Sequence, residues 1–251
     1  MAQAVKNIAI ITQARTTSTR LPGKIFKEIN HRSLLQYHIE RLEQSGLPVI
    51  IATTVNATDD AVEEFANQHQ LPVWRGSEMN VLERFYDCAR HFNVDIIVRV
   101  TSDCPLIDGK MIKKAVEEYC RWMDDNVYYS NGIERTFPRG FDFEIFSFKL
   151  LQEAYNNANE WFQKEHVTPY INQNVSRKVI MKHFMRSKDA SGFRLTVDTP
   201  EDLDLIKKMI SEFHADKKNA EEIIGIMETH PELASMNAHI EQKKITNTQI
   251  K

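Results

Sequence analysis

The 251-residue sequence predicts an α/β fold built on a mostly parallel sheet. Two observations predict it. Short apolar runs alternate with amphipathic helical stretches, at a spacing that implies parallel strands covered on both faces. The first apolar run then ends abruptly in a loop carrying Arg15, Arg20 and Lys24. Ligands of such sheets bind outside the carboxyl ends of the strands, which is where this loop begins.

The elements follow in order. Residues 8–11 (Ile-Ala-Ile-Ile) read as the first strand. Leu34, Leu35, Tyr37, His38, Arg41 and Leu42 fall at helical three- and four-residue spacing. Residues 48–53 form a second strand, and Thr58 or Asp59 caps the helix that follows. Residues 72–74 are a short third strand, 81–92 a helix and 95–100 a central strand. Beyond about residue 125 the pattern changes. Residues 127–130, 141–146 and 178–184 are strand candidates, the second alternating apolar and acidic residues. Pro200 opens a helix at its first position, with Thr199 as cap. With no repeat or low-complexity linker, residues 1–240 are expected to form one domain, followed by a polar, frayed tail over 241–251.

Composition narrows the function. Charged residues are 27% and the net charge is −3, so there is no global basic footprint for nucleic acid and anion recognition must be local. Cys88, Cys104 and Cys120 form no Cys-x-x-Cys and lack metal-type spacing with histidine, which fits reduced thiols in the cytoplasm. No signal-peptide hydrophobic region opens the sequence, and no apolar run approaches the roughly 20 residues of a membrane span.

The basic loop is suited to a triphosphate but matches neither common phosphate loop. A Walker A loop requires Ser or Thr after its Gly-Lys, whereas Gly23-Lys24 is followed by Ile25. A dinucleotide fingerprint requires three glycines, and this loop has only Gly23. Asp103, shortly after the central strand, is by its position either a metal ligand or a turn aspartate bonding its own backbone. Asp198, after the apolar stretch 193–197, is likewise a metal ligand or part of a helix cap. Asp202 and Asp204 fit a solvated helix face. Arg75-Gly76-Ser77 reads as a tight turn, with Ser77 able to cap the next helix.

Residues 13–24 (Gln-Ala-Arg-Thr-Thr-Ser-Thr-Arg-Leu-Pro-Gly-Lys) resemble the signature loop of the cytidylyltransferases that activate acidic sugars such as sialic acid and KDO. Further matches follow in order: Trp74-Arg-Gly-Ser77, the run from Arg99 to Asp108, Phe137-Pro-Arg-Gly140, residues 165–171 and residues 196–203. The resemblance spans roughly residues 6 to 210 and is nearest to the SpsF-like spore-coat polysaccharide branch. It implies a Rossmann-like, GT-A-like three-layer nucleotidyltransferase fold, with a β excursion in the region 125–190 that serves acceptor binding and homodimerisation. It also implies Mg²⁺-dependent transfer of CMP from CTP to an acidic sugar or phosphorylated acceptor, with release of pyrophosphate.

The resemblance assigns roles residue by residue. Ala14, Arg15, Arg20, Lys24, Arg75, Ser77 and Thr101 would border the nucleotide. Arg15, Lys24 and Asp103 would act in catalysis, and Asp103 and Asp198 would hold Mg²⁺. Arg135, Arg139 and His166 fall in the sugar-binding region. Two positions depart from the pattern: Thr17 stands where the family has glycine, and Thr101 where KDO-type relatives have glutamine. Two other classes remain. A GT-A glycosyltransferase would normally show Asp-x-Asp, and Asp103-Cys-Pro lacks the second carboxylate. A non-catalytic nucleotide-binding protein would bind CTP without releasing pyrophosphate.

Overall fold

A computed structural model describes residues 6–241. Most of the tail expected over 241–251 lies outside the described residues. The chain runs β1 (Ile8–Gln13), a short hairpin of β2 (Glu28–Ile29) and β3 (Arg32–Ser33), α1 (Leu34–Glu43), β4 (Val49–Thr54), α2 (Asp60–Gln68), β5 (Val73–Gly76), α3 (Val81–His91) and β6 (Ile96–Thr101). It continues with α4 (Gly109–Trp122), β7 (Val127–Ser130), β8 (Glu144–Ser147), α5 (Phe148–Asn157), α6 (Trp161–His166), α7 (Pro169–Asn172) and β9 (Ile180–His183). Helices α8 (Pro200–Phe213), α9 (Ala220–Thr229) and α10 (Pro231–Ser235) complete it.

Among the described residues seven strands form one sheet in the order β5-β4-β1-β6-β8-β7-β9, and of these only β8 pairs antiparallel to its neighbours. The two-residue period of a strand sorts its side chains between two cores. Ile10, Val98 and Val100 face one core with α1, α4 and α8, while Ala9, Ile11 and Ile97 face the other with α3 and α5. Helices thus cover both faces, which gives the three-layer architecture. The middle region extends this same sheet through β8, β7 and β9.

Local differences from the sequence expectation have identifiable causes. Within the expected strand 141–146, only residues from Glu144 onward pair as strand. The Asn131 side chain takes over the backbone of the preceding segment, donating to the Phe141 carbonyl at 2.8 Å and accepting from the Phe143 N–H at 3.0 Å. Asp59 precedes α2 but its side chain does not cap it. Its carboxylate instead accepts from the Thr54 hydroxyl and from the Thr16 N–H and hydroxyl, the last two both at 2.7 Å.

Strands β1 and β6 run in parallel with Gln13 opposite Thr101. Their carboxyl ends therefore release the 14–23 loop and the 102–108 loop side by side. A third segment closes on them: the Val197 N–H donates to the Asp103 carbonyl at 2.8 Å. Gly140 is obligatory in that closure. Its φ is 107°, and a Cβ there would lie 2.6 Å from the Leu195 carbonyl carbon. Backbone bonds between Arg139 and residues 193 and 195 complete the join.

Candidate active site

The three segments enclose a cleft of about 520 Å³. At its centre is Lys24. The left-handed turn at Gly23 (φ 64°) delivers it, and its Nζ donates to Asp103 Oδ2 at 3.0 Å, Asp198 Oδ1 at 2.8 Å and the Val197 carbonyl at 2.8 Å. Burial would lower the Lys24 pKa, but Asp103 and Asp198 outweigh it and hold the ammonium above its ordinary value. Burial would likewise raise Asp103. The Lys24 charge and hydrogen bonds from Thr101, Lys24 and Cys104 prevail, keeping its carboxyl well below the usual carboxylate range. Both groups are therefore ionised at neutral pH.

Asp198 also pairs through Oδ2 with Arg20 at 2.9 Å and Arg194 at 2.9 Å. Behind it, Asp202 accepts from the Asp198 N–H at 2.9 Å, the Thr199 N–H at 3.1 Å and the Arg194 guanidinium at 2.9 Å. Asn237 adds a donor to Asp202 at 2.8 Å. Asp103 and Asp198 thus reach one common point, now filled by the Lys24 ammonium. Two hard oxygen ligands converging beside an open cleft suit Mg²⁺, which takes its remaining ligands from water and phosphate.

The signature loop is clamped at a second point. The Thr17 hydroxyl donates to Glu78 Oε1 at 2.6 Å, Arg15 pairs with the same oxygen at 3.1 Å, and Asn56 holds the other oxygen. The Thr17 bond leads in holding the Glu78 carboxyl below its ordinary value; burial opposes it, and Asn56 and Arg15 assist. Thr17 adopts an ordinary negative φ. The threonine thus replaces backbone freedom with a side-chain tether.

A second compartment of about 240 Å³ adjoins the cleft and shares Arg99, Thr101, Asp142 and His166 with it. Arg99 bridges Glu144 and Gln13, the latter at 2.9 Å. Arg135 lines this annex and pairs with Asp142. Arg139 faces the cleft, and among the described residues its guanidinium has no hydrogen-bonded or carboxylate partner. Burial, with Arg135 and Arg194 nearby, lowers its pKa. Burial, reinforced by Arg99 against the pull of Glu165, also lowers the His166 pKa and favours the neutral imidazole.

A family model described as "Cytidylyltransferase" matches residues 9–246. The chain belongs to the cytidylyltransferase family. It is 36% identical to an uncharacterized protein of Methanocaldococcus jannaschii, over 95% of this chain and 97% of that one. It is 29% identical to the spore coat polysaccharide biosynthesis protein SpsF of Bacillus subtilis, over 92% and 98% of the respective chains. Among solved structures, a cytidylyltransferase from Leptospira borgpetersenii superposes with a TM-score of 0.86 at 32% identity, covering 96% of this chain and all (100%) of that one. The expected α/β nucleotidyltransferase fold and enzyme class are thereby established.

The cleft of this cytidylyltransferase brings together Ala14, Arg15, Arg20, Lys24, Thr101, Asp103, Arg139, His166 and Asp198, with Arg135 in the annex. Arg75 and Ser77 do not line it. Arg75 turns away to Asp60 and Glu63, both at 2.7 Å, and to the Thr54 and Asn56 carbonyls at 2.9 and 2.8 Å. Ser77 accepts from the Asn80 N–H at 3.0 Å, and Asn80, not Ser77, caps α3. Thr101 donates to Asp103 Oδ1 at 2.5 Å, so its hydroxyl serves the carboxylate.

Asp202 does not sit on a solvated face: it is 0% exposed and organises Asp198. Asp204 does, with its side chain 64% exposed. Arg84, Arg99 and Trp161 also line the cleft and were not singled out as site residues by sequence. Of these only Arg99 lay within a family-like motif. Among the described residues no helix is long and apolar enough to cross a membrane, and Cys88, Cys104 and Cys120 are free thiols.

Proposed function

We propose that the enzyme transfers CMP from CTP to an acidic sugar or related phosphorylated acceptor, releasing pyrophosphate, in surface-polysaccharide assembly. The observation that carries this is the Lys24 ammonium suspended between Asp103 and Asp198, in a cleft also lined by Arg139, which among the described residues has no carboxylate partner. A phosphate-sized anion arriving there finds cations whose present partners are the protein's own carboxylates. The name of the SpsF relative supports the polysaccharide setting.

In this scheme an acceptor oxygen attacks the α-phosphorus in line, the new P–O bond forms as the α–β bridge breaks, pyrophosphate leaves, and an attacking hydroxyl gives up its proton to solvent. Arg15, Arg20 and Lys24 trade carboxylate partners for phosphate oxygens and neutralise the charge that grows on the leaving group. Arg139 takes the acceptor's carboxylate or phosphate, and neutral His166 orients its attacking hydroxyl. Asp103 and Asp198 would hold Mg²⁺, which when bound stabilises charge on the α-phosphate and sharpens the nucleophile. The chain itself supplies positioning and electrostatics, without a covalent intermediate. A cytoplasmic homodimer belongs to the same proposal; light scattering on the purified enzyme tests the dimer.

The test of the reaction is Mg²⁺-dependent pyrophosphate release with CTP, ATP, GTP and UTP against a panel of acidic sugars and sugar phosphates. Release confined to CTP with one acceptor is the expected result. Release with CTP absent from every pairing, or a clear preference for another nucleotide, overturns the proposal.

A further inference from the structure

The cations of the cleft sort by partner. Arg15 is paired with Glu78, Arg20 with Asp198, Lys24 with Asp103 and Asp198, and Arg99 with Glu144. Among the described residues only Arg84 and Arg139, of the arginines lining the cleft, have no carboxylate partner. Arg139 has a place in the scheme above. Arg84 has none.

Arg84 rises from the first turn of α3, is 2% exposed, and still lines the cleft. Its guanidinium donates one hydrogen bond, from Nη1 to the Ser77 carbonyl at 2.9 Å, and its Nε is buried without a partner. The stem lies flat on the end of β5: a Cβ on Gly76 would come within 2.9 Å of Arg84 Cγ. The side chain is therefore held in place, with unused donors. A buried cation lacking a partner destabilises the fold, and a bound anion offsets that cost. Burial above all, and then the neighbouring charge of Arg15, push the Arg84 pKa down to about 10, against the pull of Asp59 and Glu78. An anion between the two arginines relieves both effects; a neutral base or ribose does not.

Location selects which anion. Arg84 bonds to Ser77 and feels the charges of Arg15 and Glu78, whereas Lys24 bonds to Asp103 and Asp198, and Thr101, which bonds to Asp103, is shared with the annex. The phosphates remote from the reacting phosphorus are the β and γ. We propose that Arg84 grips the β- and γ-phosphates of the bound nucleotide opposite Arg15 and retains the pyrophosphate as it leaves. This rests on the cytidylyltransferase reaction proposed above.

The test is calorimetric titration of pyrophosphate, CTP and CMP into the wild-type enzyme, Arg84→Met and Arg84→Lys, together with thermal unfolding of each. Arg84→Met should weaken pyrophosphate and CTP by about tenfold or more, leave CMP within about twofold, and leave the melting temperature unchanged or raised, since methionine fills the space without a buried charge. Arg84→Lys, which keeps the charge and the fold, should fall between them because a point charge cannot fork onto two oxygens. Unchanged pyrophosphate affinity in both variants overturns the proposal, as does an equal loss for CMP and CTP, which would put Arg84 on the base or ribose. A lowered melting temperature with intact pyrophosphate affinity would mark a structural arginine. A wild-type enzyme that binds neither pyrophosphate nor CTP would instead overturn the underlying reaction.

Discussion

Asp202 accepts the backbone N–H of Asp198 at 2.9 Å, so a carboxylate in the cleft is held by one that never reaches it. The link is local, because Thr199 and Asp202 form the capping box of α8. It is also global, because Arg194 bridges both acids and Asn237, far along the chain, bonds to Asp202.

Replacing Asp202 should therefore be costly to stability. Asp202→Ala removes the two-oxygen partner of the buried Arg194 and the acceptor of the Asp198 N–H, and should lower the unfolding free energy by about 3–5 kcal/mol; Asp202→Asn, which keeps most of the hydrogen bonds, should lose less. Urea denaturation measures both. A loss below about 1 kcal/mol for the alanine variant would show that the network is dispensable.

Asp103→Asn should leave the protein folded while turnover drops by about 10²–10³-fold, a range typical for loss of a preorganised electrostatic group. Lys24→Ala should weaken CTP binding and slow the reaction together. Pyrophosphate release and circular dichroism on the same preparations decide. Near-normal Mg²⁺-dependent turnover in Asp103→Asn would remove the carboxylate from the mechanism.

His38 makes stability depend on pH. Its imidazole is buried between the Thr12 hydroxyl and the Cys104 carbonyl, both at 2.9 Å. The carbonyl can only accept, so Nδ1 carries the proton and Nε2 accepts from Thr12. Burial pushes the pKa down from 6.5 to about 4. The unfolded chain then takes up a proton that the folded one refuses. Stability is full above pH 6.5 and falls as the pH drops toward 4, by up to about 3 kcal/mol from this group. Denaturant midpoints across that window should show the decline, and His38→Gln should flatten it.

Thr17→Val and Arg75→Met form a contrast. The first removes the hydrogen bond to Glu78 and should raise the KM for CTP by about three- to tenfold, the equivalent of one lost hydrogen bond of about 1 kcal/mol. The second alters a side chain outside the cleft and should leave the KM within about twofold. Steady-state kinetics of both variants, side by side, test the placement.

Sequence conveyed the strands through their apolar runs and the candidate site through its loops, since both are local patterns. Residues 127–130 were read with the same bounds the strand has, and Lys24, Asp103 and Asp198 sit together as their motifs imply. Long-range partners were hidden. Arg84 occupies a helix where periodicity reports a buried face but not that the face borders a cleft. Asp202 and Asp204 read alike as acids on a solvated helix face, and only the fold separates them, by bringing Arg194 to Asp202. Arg75 shares a motif with the cleft but pairs with acids at the start of α2, which a linear reading places well upstream.

Lys24 also determines what the cleft is before any substrate arrives. Two carboxylates aimed at one point would repel each other, yet here the chain carries its own counter-ion on a tether. The architecture of the cleft consequently does not depend on a divalent ion, so chelation should abolish turnover and leave the melting temperature in place. Nucleotide capture becomes an exchange of partners within an already neutralised cluster, and its affinity should respond to ionic strength less steeply than a count of the cleft's cations would imply.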